Sequence, residues 1–510
     1  MRICCCQHYE WIIPPGELGD ACMITVSGRG DITVEVVERV SWGRERVRLA
    51  PRALDVVERA HGEVARALAG GRRTYGLNTG MGYLAGKDLH PREQRAHQRN
   101  LLIGRAVGGP PYLPPAEAKA VLLIRLAEFL SGHAGVSAAL CRFLVARLND
   151  DFVPAIPRAG IGCAGEVIPL AHAFQTFVGV GRVLVDDHAT AAADGALRDR
   201  GVPPYEPAVK EGIALLAGAP GAVAVAVARR REAHVLSRQL LVSAAAAIDA
   251  LRAPLDAYRP VVAELAADPL MTEVLTTLAG LLAGSVGPRQ ESQAPVSFRV
   301  VPQVHTHLCR TLARFDEDIR RGLAAVGDSP ALVEGAFVTN GGFHALGPAA
   351  GMDSVAIALV HAAELAGQRL HRLLDRRFTG LSDQLTPAPG PRCGLVVVQK
   401  RTVGALSELR RLAAPATVGL ADTSLGQEDA MTFAFEASEK LRRVSALVRD
   451  VVACELLAAR QAWAMRGGGV ATGLDAVADR LCALIPPVVE DRPLGEDIER
   501  LVELLARNEV

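Results

Sequence analysis

The sequence predicts a mainly α fold, a bundle of long helices with a small mixed segment near its N-terminal end, and three observations carry that prediction. Half of the 510 residues are hydrophobic but only 4% are aromatic. The apolar content is therefore chiefly Ala, Val and Leu, which suit close-packed helices better than sheets. Apolar residues recur at helical spacing through many stretches, several longer than an average helix. Short glycine-rich loops, rather than low-complexity linkers, separate these stretches, as helices packed side by side require.

Taken in order, residues 1–22 read as a disordered leader, with Met23 a candidate true start. Arg2, Cys4, Cys5, Cys6, His8, Glu10 and Pro14 leave no continuous apolar core for a secretion signal, so a cytoplasmic location is expected. The three adjacent cysteines beside His8 are the one arrangement that suggests a soft metal, but neighbouring residues rarely point at one ion, and no metal is expected. The ten cysteines form no Cys-x-x-Cys pair, which predicts reduced core thiols and no disulfide framework. Residues 24–40 alternate weakly through Ile32, Val34 and Val36, as a short strand or entry segment would. Residues 51–70 combine a first-turn proline, apolar Leu54, Val57, Val64 and Leu68 at helical spacing, and a Gly-Gly stop. Further helices are predicted over 115–131, 136–149, 233–266, 306–326, 354–376, 401–413, 433–466 and 493–506. The implied division is a region of active-site loops over 23–220 and a helical bundle over 221–510. Glycine and polar residues concentrate at 74–86, 159–165, 293–303 and 339–344, and loops carried on a rigid scaffold are where chemistry usually sits.

Lys plus Arg and Asp plus Glu both number 56, so no global field draws the chain to nucleic acid or to a charged membrane, and a small-molecule substrate fits better. The longest apolar stretches, 167–185 and 213–228, are interrupted by Pro169, His172, Gln175 or Pro220 and predict buried helices rather than membrane spans. Gly160 to Gly165 matches a dinucleotide fingerprint, with Asp186 and Asp187 about 20 residues on. Pro154 and Pro157 stand where its central parallel strand would run, which argues against a nicotinamide site.

Several blocks occur together in order: Thr74-Tyr75-Gly76-Leu77-Asn78-Thr79-Gly80-Met81-Gly82, then Cys163-Ala164-Gly165-Glu166 running to Pro169-Leu170-Ala171-His172, then Lys210-Glu211-Gly212-Ile213-Ala214-Leu215-Leu216. Ser297-Phe298-Arg299-Val300-Val301-Pro302-Gln303, Gly341-Gly342-Phe343-His344 and Gln427-Glu428-Asp429 follow. From about residue 24 to 470 the chain resembles the histidine and aromatic amino-acid ammonia-lyase and aminomutase family. The resemblance implies a long-helix bundle of the ammonia-lyase (fumarase/aspartase-like) type and a homotetramer whose active sites are built from several subunits.

In that family an Ala-Ser-Gly tripeptide cyclises and dehydrates to a methylidene imidazolone, whose exocyclic carbon is the serine Cβ. Here the matching tripeptide is Cys163-Ala164-Gly165, and Ala164 has no hydroxyl to eliminate, so no cofactor is expected. Glu166 stands where the family usually has aspartate. Ala217 replaces an asparagine, Val296 a tyrosine, and Asp328-Ser329-Pro330 the usual Asp-Asn-Pro. Tyr75 matches the catalytic base, a role for which a nearby cation would have to lower its pKa from about 10.

Arg299 matches the arginine that holds the substrate carboxylate, and Glu428 a substrate-facing acid. Asn78 and Gln303, within matching blocks, are candidate substrate-binding residues. Arg105 stands where the family selects the substrate side chain, and it favours an anionic or strongly hydrogen-bonding group. The plain alternatives are a loop anchor for Tyr75 and ion pairs for Arg299, Glu428 and Arg105. Cys163 and Cys393 are candidate nucleophiles if a cation activates them, and inert filler otherwise. The expectation is an enzyme that uses a tyrosine base for elimination, conjugate addition or cyclisation on a carboxylate-bearing small molecule. The alternative is a non-catalytic ligand-binding or assembly homologue.

Overall fold

The computed structural model describes residues 23–186, 189–285, 289 and 293–509. The leader, with its Cys4 to Cys6 run and His8, lies outside them, as does Asp187. Three long helices, Pro220–Leu251, Leu346–Leu373 and Ala434–Arg466, pack on one another, and the first two also on Val301–Ala324, to form the centre of the molecule. The first is apolar on nearly every face, the pattern of a helix surrounded by protein. Small residues such as Ala244, Ala245, Ala246 and Ala247 are buried along it and let neighbouring backbones approach closely. Pro220 occupies the first turn, where its missing N–H costs nothing. Arg252 takes a left-handed conformation at the end, two residues before Pro254.

One polar knot crosses the three helices. Arg369 Nε donates to Glu455 Oε1 at 2.6 Å, and Ser243 Oγ donates to Glu455 Oε2 at 2.5 Å. A buried charge is tolerated only when paired and hydrogen-bonded in this way, and such a pair fixes register more than it adds stability. By length and composition, Glu211–Leu251 and Leu346–Leu373 could each cross a membrane. Their most apolar windows are 94% and 67% buried inside the bundle, so both serve as core helices.

The described strands form three two-stranded sheets. Met23–Val26 pairs in parallel with Arg46–Leu49, while Arg182–Leu184 with Thr190–Ala192 and Ala331–Val333 with Ala336–Val338 are antiparallel. The segment leading to Gly160 makes only isolated bridges at Pro154 and Pro157, so the glycine fingerprint has no dinucleotide-binding unit around it.

Three sequence expectations need correction. The alternation over 24–40 is a strand only to Val26. Val34–Ser41 is a helix capped by the Thr33 side chain, and its buried Val34, Val37 and Val40 follow a helical period. The helix expected over 233–266 begins at Pro220 and stops at Leu251, after which Val261–Ala266 is a separate helix. The loop expected over 293–303 holds the short helix Val296–Arg299 and the first residues of Val301–Ala324.

Candidate active site

Local geometry explains the Tyr75 loop. It connects Pro51–Ala69 to Pro91–Ile103, and Asn78 ties it together: Asn78 Oδ1 accepts from Thr74 N–H at 2.6 Å and its Nδ2 donates to the Arg72 carbonyl at 2.9 Å. The Asn78 amide, expected to bind substrate, is thus used within the loop. Gly82 has a φ of +59°, and a Cβ there would meet Ser424 Oγ at 3.2 Å and Glu428 Oε1 at 3.4 Å. Glycine is what lets the tyrosine loop seat against the loop of Glu428.

These loops and the bundle ends enclose a cavity of about 450 Å³, lined on one side by Tyr75, Met81 and Glu428 and on another by Ala164, Gly165 and Glu166. Leu216, Ala217 and Gly218 form part of its wall, and Ser329, Phe343 and His344 another part. A second hollow of about 340 Å³ shares His344. The loop bearing Ser329 and His344 is fixed from below. Lys210 Nζ reaches Asp328 at 2.6 Å, Asn340 Nδ2 donates to the Asp328 carbonyl at 2.9 Å, and Asn340 N–H donates to Ser329 Oγ at 3.1 Å. Gly165 packs on Phe343, and Ile161 N–H donates to Glu436 Oε1 at 3.1 Å.

Tyr75 Oη accepts from Gly82 N–H at 2.8 Å. The expected lowering of its pKa is reversed within the chain: burial holds the phenol above its ordinary value and Glu428 adds to this, outweighing Gly82 and Arg105, which favour the tyrosinate. Arg105 has both Tyr75 and Glu428 as electrostatic neighbours. The described structure contains no Arg105–Glu428 ion pair.

Arg299 and Gln303 stand outside this cavity. Arg299, at the end of Val296–Arg299, donates from Nε to the Ala294 carbonyl at 3.0 Å, and Gln303 is exposed. Cys163 is buried and its thiol is pushed up to about 11, chiefly by burial, with no cation beside it, so it lacks the thiolate a nucleophile requires. Cys393 lies with the C-terminal segment, its N–H donating to Asp491 Oδ2 at 2.9 Å, and it does not line the cavity.

The residues that sequence reasoning passed over are Arg125 and Glu128, a buried ion pair at 2.6 Å beneath Gly218. The signal was present: a charged pair three residues apart inside the otherwise apolar run from Ala120 to Leu130.

With this geometry in place, the comparisons with known proteins become specific. The aromatic amino acid lyase family matches residues 32–482. Histidine ammonia-lyase of Geobacillus thermodenitrificans is 32% identical over 487 residues, spanning 94% of this chain and 96% of that protein. The Bacillus subtilis enzyme of the same name is 30% identical over 502 residues, spanning 95% and 97%. Among solved structures, tyrosine aminomutase from Streptomyces globisporus superposes with a TM-score of 0.88 at 25% identity, covering 96% of this chain and 97% of that one. Ergothionase from Treponema denticola superposes with a TM-score of 0.90 at 23% identity, covering 96% and 99%. A family match over most of the chain, near-full-length relatives and the same helical fold establish that this protein belongs to the aromatic amino acid lyase family.

Proposed function

We propose that this lyase-type enzyme works without the methylidene-imidazolone electrophile, using Tyr75 as the base for elimination, conjugate addition or cyclisation on a carboxylate-bearing small molecule. The observation that carries the reading is Ala164 on the wall of the Tyr75 cavity. The residues present do not fit the family's group, because a methylidene carbon must come from a side chain that can lose water, and an alanine methyl cannot.

An ordinary α-amino acid holds its β-proton too tightly for tyrosinate alone. The substrate must carry its own activation, a carbonyl or a conjugated system next to the C–H bond. Arg105 and Glu428 face Tyr75 in the electrostatics of the cavity and select a substrate with polar or charged groups. Because burial opposes tyrosinate formation in the single chain, a further cation has to approach. Arg299 from a second copy in a homotetramer is our candidate, and it would also hold the substrate carboxylate. Such an enzyme would act as a cytoplasmic catalyst on a soluble metabolite.

The test uses the substrate of the named relatives. The purified protein is expected to release no ammonia from L-histidine over a day at neutral pH. Steady ammonia release would contradict the reading.

A further inference from the structure

Glu166 is a carboxyl on the wall of the Tyr75 cavity. It directly follows Gly165, borders the cavity beside Ala164, and is buried. Its Oε2 accepts from Gly221 N–H at 2.6 Å and its Oε1 from Ala222 N–H at 2.5 Å, in the first turn of Pro220–Leu251. Among the described residues it has no ion-pair partner. Arg125, the cation whose field reaches it, is committed elsewhere: Nη1 to Glu128 at 2.6 Å and Nη2 to the Ala217 carbonyl.

The other groups around it give no counter-charge. Glu128, from the helix Pro115–Phe129, repels a negative charge on Glu166. Glu436, from Ala434–Arg466, faces the same loop through Ile161, and Cys163 in that loop stays a neutral thiol. Arg29 reaches Glu128 rather than Glu166. A buried carboxyl held by amide dipoles but given no counter-ion favours its neutral form, and burial pushes Glu166 up to about 8. In that form each oxygen still accepts its amide hydrogen, and the hydroxyl proton is left for a third partner.

We propose that Glu166 is a catalytic residue, donating a hydrogen bond to the oxyanion that forms on the substrate as Tyr75 removes the neighbouring proton, and that the substrate class is carbonyl compounds with their acidic C–H next to the carbonyl. The inference rests on the reading of Tyr75 as base. Tyrosinate takes the proton, the C–H pair becomes a carbon–carbon double bond, and the carbonyl π pair moves onto oxygen, where Glu166 meets it. For elimination, collapse re-forms the carbonyl, the pair shifts to the next carbon–carbon bond, and the leaving group departs with its own bonding pair. Glu166 thus supplies from the same loop an electrostatic stabilisation that Ala164 cannot.

The probe is 4-nitrophenolate, whose charged oxygen imitates the oxyanion, with binding followed by its visible absorbance. Wild-type protein is expected to bind it at pH 7 and to lose affinity as pH rises through about 8, where Glu166 ionises. Glu166→Leu, which has no donor, should weaken binding by roughly ten- to a hundredfold, the loss of one charge-assisted hydrogen bond, whereas Glu166→Gln, whose amide still donates, should bind without the fall above about pH 8. Tyr75→Phe should bind as the wild type does. A ligand-free readout accompanies this. Glu166 ionises near 4.5 when unfolded and near 8 when folded, so the native state holds the extra proton in that window. Stability therefore falls as pH rises through it, and Glu166→Gln should remove that fall.

If the leucine variant does not fold, the wild-type and Glu166→Gln binding profiles against pH decide. Absence of wild-type binding, a pH-independent wild-type profile, or equal binding by Glu166→Leu would each overturn the proposal. Glu166-dependent binding together with an active Tyr75→Phe would instead sink the Tyr75 reading on its own.

Discussion

Tyr75→Phe is expected to lower kcat by about a hundred- to ten-thousandfold while leaving ligand affinity within about a factor of three, since it deletes only the atom that moves the proton. The substitution keeps the ring in its place on the cavity wall. Its structural cost is the acceptor of the Gly82 N–H bond at 2.8 Å, worth about 1 kcal/mol, so a thermal melt should show a folded protein. A substrate for the assay comes from screening metabolites for a rise in melting temperature, because a ligand bound only by the folded state stabilises it by mass action. The account expects inactive, ligand-competent Tyr75→Phe. Full activity would remove tyrosine from the mechanism, and unchanged ligand binding with no turnover in the wild type would favour a non-catalytic homologue.

Arg299→Ala should act on affinity. A bidentate contact to a carboxylate in a dry site is worth about 2 to 4 kcal/mol, so binding should weaken by roughly 30- to 1,000-fold. The guanidinium makes only its Nε bond to the Ala294 carbonyl among the described residues, so its removal should cost little stability. The same substitution removes the cation proposed to favour tyrosinate. The limb of the kcat/KM profile that rises with pH should therefore move to higher pH, because the phenol then ionises later.

If Arg299 reaches the site of another subunit, mixed assemblies of Tyr75→Phe and Arg299→Ala chains should recover activity that neither has alone. Mixed assemblies as inactive as their unmixed parents, or a monodisperse monomer of 53.9 kDa in solution scattering, would contradict the shared site.

The sequence made much of the bundle legible because some helices carry their own punctuation: Pro51 and Pro115 each stand at a helix start and the helical spacing runs on to Arg466, whereas Pro220 and Pro269, which also open helices, are not read as starts. It was misleading where two periods overlap. Val34 belongs both to the alternation Ile32, Val34, Val36 and to the helical spacing Val34, Val37, Val40, and the Thr33 cap marks the helical outcome.

The site was legible as residues but not as electrostatics. Tyr75, Ala164 and Glu428 do line one cavity, whereas the direction of the Tyr75 shift depends on burial that no motif encodes. Asn78 was a candidate substrate ligand because it sits in the block around Tyr75, and only the fold reveals that both ends of its amide bind the loop backbone. Glu166 looked like a mild exchange for aspartate. Its significance emerges once Arg125 is seen to serve Glu128 and the Ala217 carbonyl instead.

The central claim is that the site works with no electrophile made from residues 163–165, and intact-mass spectrometry of the purified protein, followed by peptide mapping across Cys163, Ala164 and Gly165, tests it most directly. The tripeptide is expected to have its unmodified mass, with no near-ultraviolet absorbance beyond that of the aromatic side chains, because Ala164 offers no hydroxyl to lose. A mass lower by two waters, localised to those three residues, would contradict it.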